Sequence, residues 1–155
     1  KFDEIMAIEL NRARRYKRPL TLSIFDIDDF KRINDTFGHA VGDIVLVELT
    51  KIVKSMVRES SYLFRWGGEE FVILLPEISV EGAAVQAERI RKEVETHAFA
   101  VAGRVTVSFG MAEFRRDDTA DSIVKRADEA LYRAKERGKN RVEGENVNAG
   151  LVSEA

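Results

Sequence analysis

Three carboxylates stand where they could do chemistry. Asp26 closes the apolar run Leu20-Thr21-Leu22-Ser23-Ile24-Phe25, and Glu69 and Glu70 open another, Phe71-Val72-Ile73-Leu74-Leu75, directly after Gly67-Gly68. If the two runs are neighbouring strands, two or three carboxylates converge at their ends. Oxygen-only surroundings select hard cations, Mg2+ or Mn2+, over zinc or copper. Like charges that close would otherwise repel or hold a proton, so a divalent cation resolves the conflict. A Mg2+ ion with open positions also takes substrate phosphates, and two such ions assist an in-line displacement. The plainer reading is a solvated acidic turn, and the hairpin alone does not decide between them.

Other residues extend the pattern. Backbone N–H groups of Phe30 and Lys31, at the start of a short helix, could donate to phosphates. Asn34 and Asp43 together offer the donors and acceptors that a guanine edge requires. Taken singly, Asn34 is equally an exposed helix residue and Asp43 a helix cap. His39 reads as a loop residue or a base, and His97 suggests nothing beyond its place in the chain.

Composition bounds what these groups can serve. At 155 residues, 45% hydrophobic and 34% charged, the chain reads as one ordinary globular domain. Its 25 basic and 27 acidic residues leave a net charge of −2, so no overall field favours nucleic acid or a membrane surface. Without cysteine there is no disulfide or thiolate chemistry, which agrees with a cytoplasmic setting. No apolar run approaches the roughly 20 residues of a membrane span. The chain opens on Lys1 within a helical pattern, and we expect an excised piece of a longer protein.

The elements follow from periodicity. Phe2, Ile5, Met6, Ile8, Glu9 and Ala13 predict a first helix ending in a basic turn, stopped by Pro19. After the strand ending at Asp26, Asp28 or Asp29 is expected to cap a short helix with Phe30, Ile33 and Phe37 inward and Gly38 at its end. A longer helix should open at Gly42-Asp43 and run to about Val57, burying Ile44, Val45, Val47, Leu49, Ile52, Val53 and Met56. Gly67-Gly68 predicts a tight two-residue turn with positive φ between Tyr62-Leu63-Phe64 and the run from Phe71. That run is apolar on both faces, as a covered central strand would be. A helix from Ser79 or Val80 to Thr96, a strand over 105–112, a helix over 121–137 and an edge strand at Asn140-Arg141-Val142 complete the order. The result is an α+β sandwich related to the ferredoxin-like arrangement, with residues 1–142 as the domain and 143–155 as a polar, flexible tail.

Four blocks then match one family in order. Gly67-Gly68-Glu69-Glu70-Phe71, the stretch from Asp26 to Asp43, Val105-Thr106-Val107-Ser108-Phe109-Gly110, and the segment from Ala127 through Lys135 to Gly138-Lys139-Asn140 strongly resemble the bacterial GGDEF-domain diguanylate cyclases, in the GGEEF variant. The resemblance implies a nucleotidyl-cyclase, palm-like fold, a mostly antiparallel sheet flanked by helices. It implies condensation of two GTP into the second messenger cyclic di-GMP across a homodimer, driven by an N-terminal sensor or receiver domain. Carried over by position, it makes Asp26, the Ile27 carbonyl and Glu69 the metal ligands. Glu69 would assist deprotonation, and Glu70 would complete the acidic rim. Asn34 and Asp43 would bind guanine, His39 would line the site, and Lys135 and Lys139 would meet phosphates. The parent protein could be membrane-anchored while this domain makes no membrane contact.

Two departures stand out. The family's inhibitory Arg-x-x-Asp appears as Arg58-Glu59-Ser60-Ser61, with a neutral hydroxyl where a carboxylate would make charge-assisted contacts. Lys139 replaces an arginine, keeping charge but losing the fork. The rival readings are an idle module that binds GTP or cyclic di-GMP, and an unrelated Mg2+-dependent phosphotransferase.

Overall fold

In a computed structural model of the chain, residues 1–144 are described. Helix α1 (Phe2–Tyr16) leads into β1 (Leu20–Ile27), α2 (Phe30–Phe37), α3 (His39–Met56), β2 (Tyr62–Arg65) and β3 (Glu70–Pro76). Helix α4 (Val80–Thr96), β4 (Val107–Glu113), α5 (Ala120–Glu136) and β5 (Val142–Gly144) follow. This is the expected element order. The five strands form one sheet in the order β2-β3-β1-β4-β5, antiparallel except for the parallel pair β4–β5. The fold is therefore α+β, with a mostly antiparallel sheet flanked by helices.

Strand alternation divides the sheet into two apolar faces. On one, Phe25 stacks between Phe71 at 5.0 Å and Phe109 at 4.7 Å, under α2, α3 and α4. On the other, Leu22, Ile24, Val72 and Leu74 pack against Met6, Leu10 and Ala13 of α1 and Ile123, Ala127 and Leu131 of α5. β3 is buried from Phe71 to Leu75 and paired on both sides, as its continuous apolar run required. A Cβ on Gly110 would collide with the Leu131 and Ala127 backbone, so α5 lies directly on β4.

Several sequence expectations are corrected. The link between β2 and β3 spans residues 66–69 rather than two glycines, and neither Gly67 nor Gly68 takes positive φ. Glu70 N–H bonds Gly67 O at 3.4 Å, which closes the turn with Gly68 and Glu69 at its centre. α3 starts at His39, because Gly38 with φ 92 separates it from α2 by a single residue. Asp43 therefore lies a full turn inside the helix and does not cap it. Ile8, Phe37, Ile44 and Val47 are exposed, since the stripe facing the core is narrower than the run of apolar residues. β4 begins at Val107, and β5 is Val142–Gly144 rather than 140–142. Within β5, Glu143 is buried and paired with Arg137 at 2.8 Å. Residues 145–155 of the expected tail lie outside the described residues.

Candidate active site

The antiparallel pairing of β1 with β3 sets Asp26 directly opposite Glu70. Both lie on the α5 face of the sheet, because they share strand parity with Leu22, Ile24, Val72 and Leu74. Glu69 stands in the adjoining turn, half-buried. Burial raises the Asp26 carboxyl above the usual carboxylate range; Lys135 pulls it down, while Asp28 and Glu69 push it further up. Glu70 is raised by burial and by Asp128, Asp26 and Glu69. The carboxylates thus feel one another, as expected. They do not form a closed coordination cluster: among the described residues no three His, Cys, Asp or Glu side chains are assembled around one point.

Lys135 explains part of that. Its ammonium reaches from α5 to touch Asp26 and to bond Asp28 at 2.6 Å. The contact with Asp26 Oδ1 is ionic rather than an aligned hydrogen bond, leaving that buried oxygen without another partner. The unpartnered Asp26 Oδ1, with Glu69 and Glu70 beside it and no sulfur or imidazole ligand near among the described residues, suits a hard divalent cation. Asp26, the Ile27 carbonyl and Glu69 would hold it. Lys135, expected at phosphates, is here the cation that balances the two aspartates, and Lys139 pairs with Asp29 at 2.6 Å.

Of the two aspartates expected as caps of the short helix, Asp28 takes a different place. It is 5% exposed and accepts from Thr106 Oγ1 at 2.7 Å, Ser108 Oγ at 2.6 Å and the Asn140 amide at 2.9 Å. Burial alone would raise it, but the bonds from Lys135, Ser108 and Thr106 hold it below the usual range. Asp28 therefore ties β1, β4, α5 and the loop before β5 together behind Asp26. The Asp-x-Asp spacing was the available signal, since alternation puts both on one side. Asp29, not Asp28, occupies the N-cap of α2, in a left-handed conformation with φ 55 and with no side-chain cap bond.

Across the sheet, the α2 start places Phe30 in the core and Lys31 in solvent. Asn34 lies against Gly42 of α3, where a Cβ would strike its carboxamide; the Asn34 Oδ1 atom is buried without a partner. His39 and Asp43 are exposed on α3, Asp43 directly following Gly42. Arg65, not anticipated from sequence, donates from Nε and Nη2 to Gly68 O at 3.2 and 2.8 Å and so clamps the acidic turn. A Cβ on Gly67 or Gly68 would meet nothing within 4 Å, so neither packing nor φ demands glycine there. Away from this region, Arg58 is exposed and its carbonyl accepts from the Ser61 amide at 3.0 Å, while Ser61 Oγ is buried without a partner. His97 bonds Glu48 at 3.2 Å and takes no part in the site.

A five-stranded, mostly antiparallel sheet of this order, flanked by helices, is an α+β palm-like domain. Residues 1–141 match the family model "Diguanylate cyclase, GGDEF domain", and the chain belongs to that family. It is 47% identical over 137 residues to diguanylate cyclase A of Treponema denticola and 45% identical over 122 residues to diguanylate cyclase DgcM of Escherichia coli K12. These alignments cover 86% and 79% of the chain but only 37% and 30% of the relatives, so the chain spans about a third of their length. Among solved structures, the GGDEF domain of DgcB from Caulobacter crescentus, in complex with c-di-GMP, superposes with a TM-score of 0.88 at 33% identity, covering 92% of this chain and 87% of that one. The active GGEEF domain of a diguanylate cyclase from Vibrio cholerae gives 0.84 at 38% identity, covering 88% and 89%. GGDEF diguanylate cyclases generally depend on a divalent metal. No helix among the described residues is long and apolar enough to cross a membrane.

Proposed function

We propose that this chain is the catalytic domain of a diguanylate cyclase, joining two GTP into cyclic di-GMP with loss of two pyrophosphates. The reading rests on one observation above the rest: β1 and β3 pair so that Asp26 faces Glu70, with Glu69 beside them on a turn whose Gly67 and Gly68 leave the backbone open.

Each protomer holds one GTP. Asn34 and Asp43 bind guanine, Asn34 Oδ1 having no partner within the protein. The amides of Phe30 and Lys31 and the charges of Lys135 and Lys139 meet phosphates, with His39 lining the site and Gly67 and Gly68 admitting the nucleotide. Lys135 and Lys139 release their aspartates to do so. A divalent cation, Mg2+ or Mn2+, held by Asp26, the Ile27 carbonyl and Glu69, would supply polarisation of the phosphates and of the attacking oxygen. Glu69 helps take the proton of the 3′-hydroxyl, which bonds to the α-phosphorus of the partner's nucleotide as the bond to pyrophosphate breaks. Glu70 keeps the rim acidic. Two such steps close the ring, so two copies must meet face to face. An upstream sensor or receiver domain, in a cytoplasmic setting, would bring them together. Among the solved relatives, one comprises a coiled coil and a GGDEF domain, and another is a diguanylate cyclase in complex with its activator.

At the inhibitory position, Arg58 with Ser61 gives weak product inhibition or none, since a hydroxyl cannot match a carboxylate's charged contacts. The rival is an idle binding module. Asp26, Glu69 and Glu70 are all retained, which favours the enzyme. Incubating a forced dimer with GTP and Mg2+ decides: cyclic di-GMP should accumulate, whereas GTP bound tightly but left unconsumed would support the module.

A further inference from the structure

Helix α1 rests on the outer strand of the sheet through a row of rings. Tyr62, Phe64 and Trp66 alternate along β2 and its exit, so strand periodicity points all three toward α1. Tyr62 Oη donates to Glu9 Oε2 at 3.1 Å, and Tyr62 stacks on Phe64 at 6.3 Å. Phe2, in the first turn of α1, meets Phe64 edge-on at 5.2 Å and Trp66 at 5.3 Å. Trp66 belongs to the acidic turn itself, its N–H donating to Glu70 O at 2.9 Å.

Gly67 and Gly68 offer no side chain by which the turn could be held. Beyond its own backbone bonds to Glu70, the turn is held by Arg65, gripping Gly68 O from one side, and by Trp66, seated on Phe2 from the other. A rigid ring against a rigid ring fixes position through shape and edge-to-face electrostatics. The start of α1 and the carboxylate turn are thus in direct contact, although they are more than sixty residues apart.

We propose that Phe2 is a positioning residue for the acidic turn: by seating Trp66, the first turn of α1 sets where Glu69 and Glu70 stand relative to Asp26. The catalytic consequence rests on the cyclase reading; the mechanical link does not. Displacing the first turn of α1 therefore misplaces the carboxylates without touching Asn34 and Asp43, the residues proposed for guanine.

The test compares Phe2→Ala with Phe2→Tyr, which keeps the ring. Backbone hydrogen exchange and GTP turnover are read in the same forced dimers. In Phe2→Ala the amides of Trp66 and Glu70 should exchange at least tenfold faster while β1 amides stay within twofold of wild type. Its kcat should fall about tenfold with KM for GTP within threefold, and emission from Trp66, the single tryptophan, should move to the red. Phe2→Tyr should behave as wild type in all three. Unchanged exchange at 66–70, equal acceleration throughout β1, or a KM effect with intact kcat would each overturn the proposal. If the wild-type dimer makes no product, the cyclase reading fails, and the exchange and emission data still decide whether Phe2 holds the turn.

Discussion

Lys135 bonds Asp28 at 2.6 Å and also touches Asp26, so one ammonium on α5 neutralises two carboxylates on β1. Asp28 is nearly inaccessible, and three further donors surround it. Replacing Lys135 with Met leaves a buried aspartate short of its counter-charge, which should destabilise the domain by about 2–3 kcal/mol. Urea unfolding of Lys135→Met checks this, and Lys135→Arg should recover part of the loss.

Asp26 and Glu70 have raised pKa values, so their ionised forms oppose the fold. Their share of stability is full in acid and is lost as pH rises through the raised values. Asp28, Asp118 and Glu95 are lowered and act oppositely, losing their contribution as pH falls through their depressed values. Without divalent cation, Asp26→Asn should therefore be at least as heat-stable as wild type at pH 7, the gain shrinking toward pH 4. Mg2+ with a GTP analogue should raise the melting temperature of wild type more than that of the variant.

Glu69 stands half-buried in the turn and belongs to neither core cluster. Glu69→Gln keeps shape and removes charge. Its fold should be unchanged while turnover in a forced dimer falls a hundredfold or more, the several kcal/mol expected of a lost metal-held transition-state contact. An unimpaired rate would remove Glu69 from its role.

The glycines separate into two kinds. Gly67→Ala and Gly68→Ala add a methyl facing open space, so stability should move by no more than about 0.5 kcal/mol. KM for GTP should nonetheless rise as the approach narrows. Gly42→Ala drives a methyl into the Asn34 carboxamide and should weaken guanine binding, and Gly110→Ala, which pushes α5 off β4, should cost about 1–3 kcal/mol or more. Thermal melts and GTP titrations on the four variants make the comparison.

Ser61 Oγ is buried and unpartnered beside Arg58 in the loop before β2. Ser61→Asp supplies the missing carboxylate, so cyclic di-GMP should inhibit this variant and leave wild type nearly untouched. Initial rates with added product decide, and strong inhibition of wild type that vanishes in Arg58→Ala would contradict the reading.

Much of this was legible in the residues. The order of elements, the central place of β3 and the inward stripe of α4 follow from apolar spacing, because burial rewards periodicity directly. Misreadings arose where two arrangements satisfy the same pattern. Ile44 and Val47 fit a helical stripe yet face solvent, since a stripe's width depends on what packs against it. The glycines at 67 and 68 suggested a strained two-residue turn; their backbone is ordinary, and their bareness faces outward.

By itself the sequence determined which groups were available: oxygen ligands without sulfur, an amide and a carboxylate near a helix start, and bare backbone beside two glutamates. These are properties of residue type and short spacing, so they survive without coordinates. Only tertiary structure decided that Asp26 faces Glu70, that Lys135 arrives from α5 to balance Asp26 and Asp28, and that Phe2 reaches Trp66. Each of those contacts joins positions far apart in the chain, and their distance is set by strand register and helix packing rather than by any local preference.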